Sequence, residues 1–180
     1  MTYEHLTIMY SLPRSMTQWW RWFMSHGCHA LHDPLARCSH PDQLKDIVDA
    51  AEGERMFIAD TSAILFHDRF ARLLPGHKRM YMHRHVDEVR TSLAKQHYYA
   101  PVGLLVEMRV RLFDRNNCPS FYFGEVTPRR AARAFRDVTG ETIEPHQVEG
   151  MLRHVVDVPL RQQHRNTDHI RSLLLHKDPT

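Results

Sequence analysis

Short apolar segments alternate with amphipathic helical segments along most of this sequence, and this alternation constrains the fold more than any other feature. The predicted strands lie at 6–10, 28–31, 56–59, 79–82 and 120–123. The predicted helices lie at 17–26, 41–51, 62–74, 87–96, 102–113, 128–140 and 145–156. Strands and helices in alternation form right-handed β-α-β crossovers, which need a parallel sheet covered by helices. The sequence therefore predicts a three-layer α/β/α fold around a central, mostly parallel five-stranded sheet.

Two of the helical segments required a choice. Segment 102–113 has the length of a helix but the valine content of a strand, and we interpret it as a helix because strands are usually shorter than about 10 residues. One face of the helix at 17–26 carries Trp19, Trp22, Phe23 and His26. This spacing predicts a buried aromatic face, with Trp20 nearer to solvent.

Length and composition indicate an ordinary soluble chain. The 180 residues predict one domain at 1–158 and a polar tail at 159–180, with a short helix around the apolar residues 170–175. Hydrophobic residues make up 42% and charged residues 25%, as in globular proteins generally. No segment reaches the roughly 18 apolar residues of a membrane span, and the first residues lack signal-peptide features. We therefore expect a cytoplasmic protein without a membrane partner.

The turn after the first strand has the composition of an anion-binding loop. It reads Pro13, Arg14, Ser15, Met16, Thr17 and Gln18 and runs directly into a helix. A helix N-terminus offers free N–H groups and the positive end of its dipole, to which Arg14 adds a guanidinium and Ser15 and Thr17 add hydroxyl groups. The alternative is that Ser15 or Thr17 caps the helix and Arg14 lies in solvent.

The order of elements around this loop resembles the 5′-phosphosulfate-binding loop of the sulfotransferase family. A strand is followed by the sequence Leu-Pro-Arg-Ser-x-Thr and then by a tryptophan-containing helix. The family loop usually reads Pro-Lys/Arg-Ser-Gly-Thr/Ser-Thr, so Met16 stands where the family has glycine. Glycine lets the backbone approach a phosphate closely, and Met16 is expected to weaken nucleotide binding. The loop is not a Walker A motif, because it lacks Gly-Lys-Ser/Thr.

A second segment resembles the family's 3′-phosphate site. There an arginine ends a strand and a serine follows eight residues later on the next helix, which is the spacing of Arg84 and Ser92. The alternative is that Asp87 pairs with Arg84 or Arg90 and that Ser92 is solvated. Softer similarities at 73–77 and 122–128 extend the resemblance over about residues 6–158.

The resemblance implies a P-loop-like fold and an activity. The enzyme would transfer a sulfuryl group from 3′-phosphoadenosine 5′-phosphosulfate (PAPS) to a hydroxyl group of a small molecule or glycan, releasing adenosine 3′,5′-bisphosphate. The nucleotide would be bound by Pro13, Arg14, Ser15, Met16, Thr17, Gln18, Arg84 and Ser92. Arg14 would follow the leaving oxygen, and Asp33 would be the general base, with His32 as the other candidate. Asp60 would orient the acceptor or Arg14, or would cap the following helix.

The sequence also allows other functions. A P-loop-type kinase with Asp60 on Mg²⁺ would need a Walker lysine, which the loop lacks. A catalytically inactive nucleotide-binding module would use the same fold without turnover. We predict no metal site, because His26, His29, His32, Cys28 and Cys38 have no standard zinc spacing. The net charge of +3 suits a small anion as well as nucleic acid, and we expect no nucleic-acid partner; homodimer formation is left open.

Overall fold

Five parallel strands form one sheet at the centre of the protein. The computed structural model describes residues 2–97, 100–113 and 119–153. The strands are β1 Leu6–Ser11, β2 His29–His32, β3 Met56–Asp60, β4 Lys78–His83 and β5 Ser120–Tyr122. They pair in the order β2-β3-β1-β4-β5, and every pairing is parallel. The predicted fold class and the predicted strands are confirmed, with ends that differ by at most one residue.

Helices cover both faces of this sheet. They are α1 Thr17–Met24, α2 Gln43–Asp49, α3 His67–Leu73, α4 Val86–Ala94, α5 Val102–Phe113, α6 Pro128–Thr139 and α7 Pro145–Leu152. Two 3₁₀ helices, Pro34–Arg37 and Ala63–Phe66, follow β2 and β3. Segment 102–113 is a helix, as its length predicted. The predicted tail at 159–180 lies outside the described residues.

The strand β1 is buried along its whole length because helices pack on both of its sides. Its residues Leu6, Ile8 and Tyr10 belong to the core beneath α2 to α5, whereas Met9 belongs to the core beneath α1, α6 and α7. Side chains alternate between the faces of a strand, so a strand covered on both faces is apolar without interruption. This burial explains why β1 has no polar-apolar alternation in the sequence.

The orientation of α1 corrects one prediction. Trp19 and Phe23 are buried as expected, but Trp20 is 0% exposed, and its ring centroid lies 5.0 Å from that of Phe121. Trp22 is only half-buried and His26 is exposed. Helix α1 packs against α6 as well as against the sheet. This wider contact buries Trp20, which the helical periodicity had placed outside the buried face.

The strand order places a crevice at the carboxyl ends of β1 and β4. The chain leaves β1 through α1 on one face of the sheet and leaves β4 through α4 on the other face, and the two strands are neighbours. In open parallel sheets, ligands bind where the connections of adjacent strands diverge in this way. The loop after β1 and Arg84 after β4 both lie at this point. None of the helices in the described ranges has the length and apolar character needed to cross a membrane.

Candidate anion-binding site

The loop between β1 and α1 has an unusual backbone. Arg14 has φ 61° and Met16 has φ 60°, so two non-glycine residues in one loop adopt the left-handed conformation. Side chains rarely adopt it, because their Cβ atom crowds the following carbonyl group. Met16 thus holds the conformation that a glycine would take at this position. Its half-buried side chain packs against the core beneath α1 rather than away from the protein.

The first turn of α1 is not capped by a side chain. Met16 occupies the N-cap position without a side-chain hydrogen bond to the helix. The Ser15 hydroxyl donates instead to the carbonyl oxygen of Pro13 at 3.5 Å, and the Thr17 hydroxyl lies against His32. The alternative that Ser15 or Thr17 caps this helix is therefore wrong. Free N–H groups at the start of a helix, together with left-handed residues before it, form a concave set of donors suited to an oxyanion.

Arg14 brings the two predicted phosphate-binding segments together. Its Nε donates a 3.3 Å hydrogen bond to Oγ of Ser92 on α4, and Nη1 of Arg84 donates to the backbone carbonyl oxygen of Arg14. Both arginines are only partly exposed. The guanidinium groups predicted to bind opposite ends of one nucleotide therefore lie at the same crevice.

Arg84 is held in place by two further contacts. Its guanidinium carbon lies 3.7 Å above the ring centroid of Phe123, and its Nε lies 3.3 Å from a carboxylate oxygen of Glu88. Such stacking fixes the guanidinium plane while leaving its edge open to an acceptor. Asp87 pairs with Arg90 at 3.4 Å, so Arg84 takes its ion pair from Glu88 and not from Asp87.

The electrostatics of the pair favour an anion. Burial lowers the pKa of both arginines, and the charge of Arg84 lowers the pKa of Arg14 further. Arginine nevertheless stays protonated at neutral pH. Over the described part of the chain, no carboxylate pairs with Arg14, whereas Arg84 has Glu88. Two neighbouring positive charges with one carboxylate leave a net attraction for a negative ligand.

Two adjacent surface cavities lie along α4, and Arg84 lines the first of them. The first has a volume of about 370 Å³ and the second about 440 Å³. The first is lined by Arg84, Asp87, Glu88, Thr91, Ser92 and Lys95. The second shares Asp87 and Thr91 with the first and reaches Val102 at the start of α5. Both are shallow and open to solvent, and two cations and two carboxylates line the first.

His32 and Asp33 lie at the end of β2 and contact the same loop. Nε2 of His32 lies 3.0 Å from Oγ1 of Thr17, and its Nδ1 lies 3.4 Å from Oδ2 of Asp33. Burial lowers the pKa of His32 to about 4, so its ring is neutral at pH 7. Burial raises the pKa of Asp33 to about 6, which is close to the value that suits a general base.

Asp60 is used for structure. Its Oδ1 accepts hydrogen bonds from the backbone N–H groups of Ser62 and Ala63 and from the Ser62 hydroxyl, and its Oδ2 accepts from the N–H of Leu35. Burial and the nearby charge of Asp33 raise the pKa of Asp60 to about 6. The capping interpretation of Asp60 fits this arrangement, in which its carboxylate already has four donors.

The structure sorts the predicted residues into two groups joined by the loop. Arg14, Arg84 and Ser92 meet on one side, Thr17, His32 and Asp33 meet on the other, and Gln18 is half-buried in the first turn of α1.

Sequence reasoning missed Glu88 and Phe123. Glu88 was detectable as the i+4 partner of Arg84, whereas Phe123 has no local signal. Within the described ranges, no three His, Cys, Asp or Glu side chains are placed to share a metal ion.

No family model matches the sequence, and no curated protein matches it.

Proposed function

We propose that the protein is a sulfotransferase that binds PAPS across the crevice between β1 and β4 and transfers the sulfuryl group to a hydroxyl acceptor. The observation that carries the proposal is the meeting of Arg14 and Arg84, of which Arg14 has no carboxylate partner among the described residues. Such an arrangement is stabilised by a ligand with two separate anionic groups, which adenosine 3′,5′-bisphosphate and PAPS both have.

The 5′-phosphosulfate would occupy the loop before α1. The terminal guanidinium nitrogens of Arg14 would bind it, because within the described ranges the Arg14 side chain uses only Nε, which bonds Ser92. The N–H groups of the first turn of α1 add fixed donors at positions where charge develops as the phosphate leaves. Positioning and charge stabilisation of this kind account for most of the rate in phosphoryl transfer, and sulfuryl transfer has the same in-line requirement.

The 3′-phosphate would bind beside Arg84 and Ser92. Nη2 of Arg84 has no hydrogen-bond partner within the described residues, since Nε and Nη1 serve Glu88 and the Arg14 carbonyl group. Lys95 lines the adjoining cavity and would add a further positive charge. A charge-assisted hydrogen bond contributes about 1.5–3 kcal/mol, so loss of Arg84 alone is a measurable change.

Asp33 is the better candidate for the base. Its raised pKa of about 6 leaves it ionised at pH 7 and still able to accept a proton. Burial lowers the pKa of His32 to about 4, which makes its ring the weaker base of the two. In the reaction, the acceptor O–H bond breaks and its proton passes to Asp33 while the acceptor oxygen bonds to sulfur. The bond from sulfur to the phosphate oxygen breaks, and its electron pair leaves with adenosine 3′,5′-bisphosphate.

The kinase hypothesis has less support. The loop has no lysine, and the carboxylate of Asp60 accepts four hydrogen bonds that a Mg²⁺ ion would have to displace.

Thermal-shift titration tests the proposal directly. A ligand that binds only the folded state raises the melting temperature, so adenosine 3′,5′-bisphosphate should raise it and ATP with Mg²⁺ should not. Transfer of labelled sulfate from PAPS to a panel of phenols, alcohols and glycans then tests turnover. A stabilisation by ATP with Mg²⁺ alone would favour the kinase. Binding of the bisphosphate without turnover on any acceptor would favour an inactive nucleotide-binding module.

A further inference from the structure

A carboxylate, an imidazole and a hydroxyl group lie next to one another between the end of β2 and the anion loop. Oδ2 of Asp33 lies 3.4 Å from Nδ1 of His32, and Nε2 of His32 lies 3.0 Å from Oγ1 of Thr17. The side chains of His32 and Asp33 are 23% and 21% exposed, and Thr17 is 6% exposed. The hydroxyl of Thr17 lies on the first residue of α1, next to the proposed phosphosulfate site.

We infer that Asp33 is a positioning residue, which decides which nitrogen of His32 carries the proton and thereby whether Thr17 offers its hydroxyl hydrogen to an anion in the loop. The consequence for anion binding rests on the proposed function; the effect on His32 does not.

The two oxygen atoms of Asp33 have different surroundings. Oδ1 accepts hydrogen bonds from the N–H and the hydroxyl of Thr61, at 3.0 and 3.3 Å. A proton taken up by this carboxyl must therefore reside on Oδ2, the oxygen that faces His32. Asp60 lies nearby, and burial raises the pKa of both carboxyl groups to about 6, so both take up protons as the pH falls from 7 to 5.

The other charged groups around His32 do not change its state at neutral pH. Asp60 favours the protonated ring and Arg21 of α1 opposes it, while burial, the largest effect, lowers the pKa of His32 to about 4. A neutral imidazole carries one proton, so one nitrogen donates and the other accepts. The direction of the hydrogen bond between Thr17 and His32 therefore depends on which ring nitrogen of His32 carries no proton.

The ionised form of Asp33 gives one arrangement. At 3.4 Å the contact is long for a hydrogen bond, but the negative carboxylate still favours the proton on Nδ1. Nε2 is then bare and accepts the hydroxyl hydrogen of Thr17. In this state Thr17 presents only oxygen lone pairs toward the loop, which disfavours an anion.

The protonated form gives the opposite arrangement. The carboxyl O–H of Asp33 donates to Nδ1, so the ring proton moves to Nε2 and donates to the oxygen of Thr17. The Thr17 hydrogen becomes free for an anion. If Asp33 is the base, the proton that it removes from the acceptor causes this change during the reaction, and Thr17 then stabilises the departing phosphate as its charge grows.

The ring tautomer of His32 tests the inference in the ligand-free protein. Nitrogen NMR of labelled protein at pH 7.5 should place the proton on Nδ1 in the wild type and on Nε2 in Asp33→Asn. In this variant the N–H and hydroxyl groups of Thr61 should bind the side-chain carbonyl oxygen of the asparagine. The side-chain NH₂ group of the asparagine then donates to Nδ1 of His32, as the protonated acid would. Asp46→Asn, on the exposed side of α2, should leave the ring unchanged. The wild type at pH 5 should shift toward the Nε2 form without any substitution.

An Nε2 proton in the wild type at pH 7.5, or an Nδ1 proton both in Asp33→Asn and in the wild type at pH 5, would overturn the inference.

Sulfate binding tests the consequence for anions. Sulfate is the right probe because its charge is constant from pH 5 to 8, whereas a phosphate monoester has a pKa near 6. One neutral hydrogen bond corresponds to about a fivefold change in affinity, so Asp33→Asn should bind sulfate about fivefold more tightly at pH 7.5. In a Thr17→Val background this gain should disappear, as the double-mutant cycle requires. A gain that persists in full with Thr17→Val would show simple removal of charge and overturn the role of Thr17.

The two proposals fail in different ways. If neither sulfate nor adenosine 3′,5′-bisphosphate binds at any pH, the proposed function is wrong, and with it the effect of Thr17 on anions. The ring tautomer of the free protein still decides the effect of Asp33 on His32.

Discussion

Nε of Arg14 donates a 3.3 Å hydrogen bond to Oγ of Ser92, a residue 78 positions further along the chain. This bond connects the loop after β1 with the second turn of α4 and so fixes the spacing between two regions that would each bind a phosphate. It also orients the guanidinium group so that its terminal nitrogens have no hydrogen-bond partner among the described residues. The relationship between these two residues is the basis for the first prediction.

Arg14→Lys should lower the affinity for adenosine 3′,5′-bisphosphate about tenfold, although it keeps the positive charge. A lysine has no planar fork and cannot bond Ser92 and an anion at once. Titration calorimetry at fixed salt measures the change. Arg133→Lys on the exposed side of α6 is the control and should bind like the wild type, since the Arg133 side chain is 79% exposed and lies outside the site. Equal affinity for Arg14→Lys would argue against a directed guanidinium contact.

Arg84→Ala should weaken binding of the same nucleotide about 10- to 100-fold. The estimate follows from the loss of about 1.5–3 kcal/mol for a charge-assisted hydrogen bond. Arg90→Ala removes an arginine from the same helix, where it pairs with Asp87 at the surface, and should change the affinity little. Calorimetry with both variants separates a specific contact from a change in net charge. A similar loss in both variants would contradict a specific role for Arg84.

Asp33→Asn should gain stability relative to the wild type as the pH rises from about 4 to 7. The folded pKa of Asp33 is raised from 3.8 to about 6, so the folded state binds the proton more tightly than the unfolded state. The resulting stabilisation is complete below pH 3.8 and is lost as the pH rises through 6. Asparagine does not ionise, and above pH 6 its relative gain should reach about 2–3 kcal/mol.

Urea denaturation at pH 4.5 and pH 7.5 measures this difference. Asp46→Asn, which changes an exposed carboxylate of α2, should show no comparable change in its difference from the wild type. A stability difference between Asp33→Asn and the wild type that is independent of pH would show that Asp33 titrates normally. His32 contributes with the opposite sign, because its lowered pKa makes stability rise with pH over the same interval.

Gly140→Ala should destabilise the fold by about 1 kcal/mol or more. Gly140 ends α6 with φ 78°, a conformation that costs an alanine about 1–2 kcal/mol, and the added methyl group would meet the guanidinium of Arg55. Gly150→Ala in α7 is the matched control, because an added Cβ there has open space. It should stabilise the protein by about 0.5–1 kcal/mol through helix propensity. Thermal or urea denaturation compares the two variants, and equal effects would mean that backbone conformation is not the cause.

Local sequence features were sufficient for the elements of the fold. The five strands and the helix at 102–113 were predicted correctly, because strand and helix periods and element lengths are properties of short segments. A local contact also begins α6, where the hydroxyl oxygen of Thr127 accepts from the N–H of Arg130 within one turn. Trp20 was placed wrongly, because its burial depends on Phe121 and on α6, more than 100 positions away in the sequence.

For the candidate site, the sequence by itself determined which strand ends carry arginine, serine, threonine and acidic groups, and that a parallel sheet collects them at one edge. Which of them touch was decided only by the tertiary structure. The strand order makes β1 and β4 neighbours and so brings Arg14 to Ser92, and the packing of α1 brings Thr17 to His32. The physical reason is that a side chain reaches only a few ångströms, so contacts between residues distant in sequence depend on how whole strands and helices are arranged.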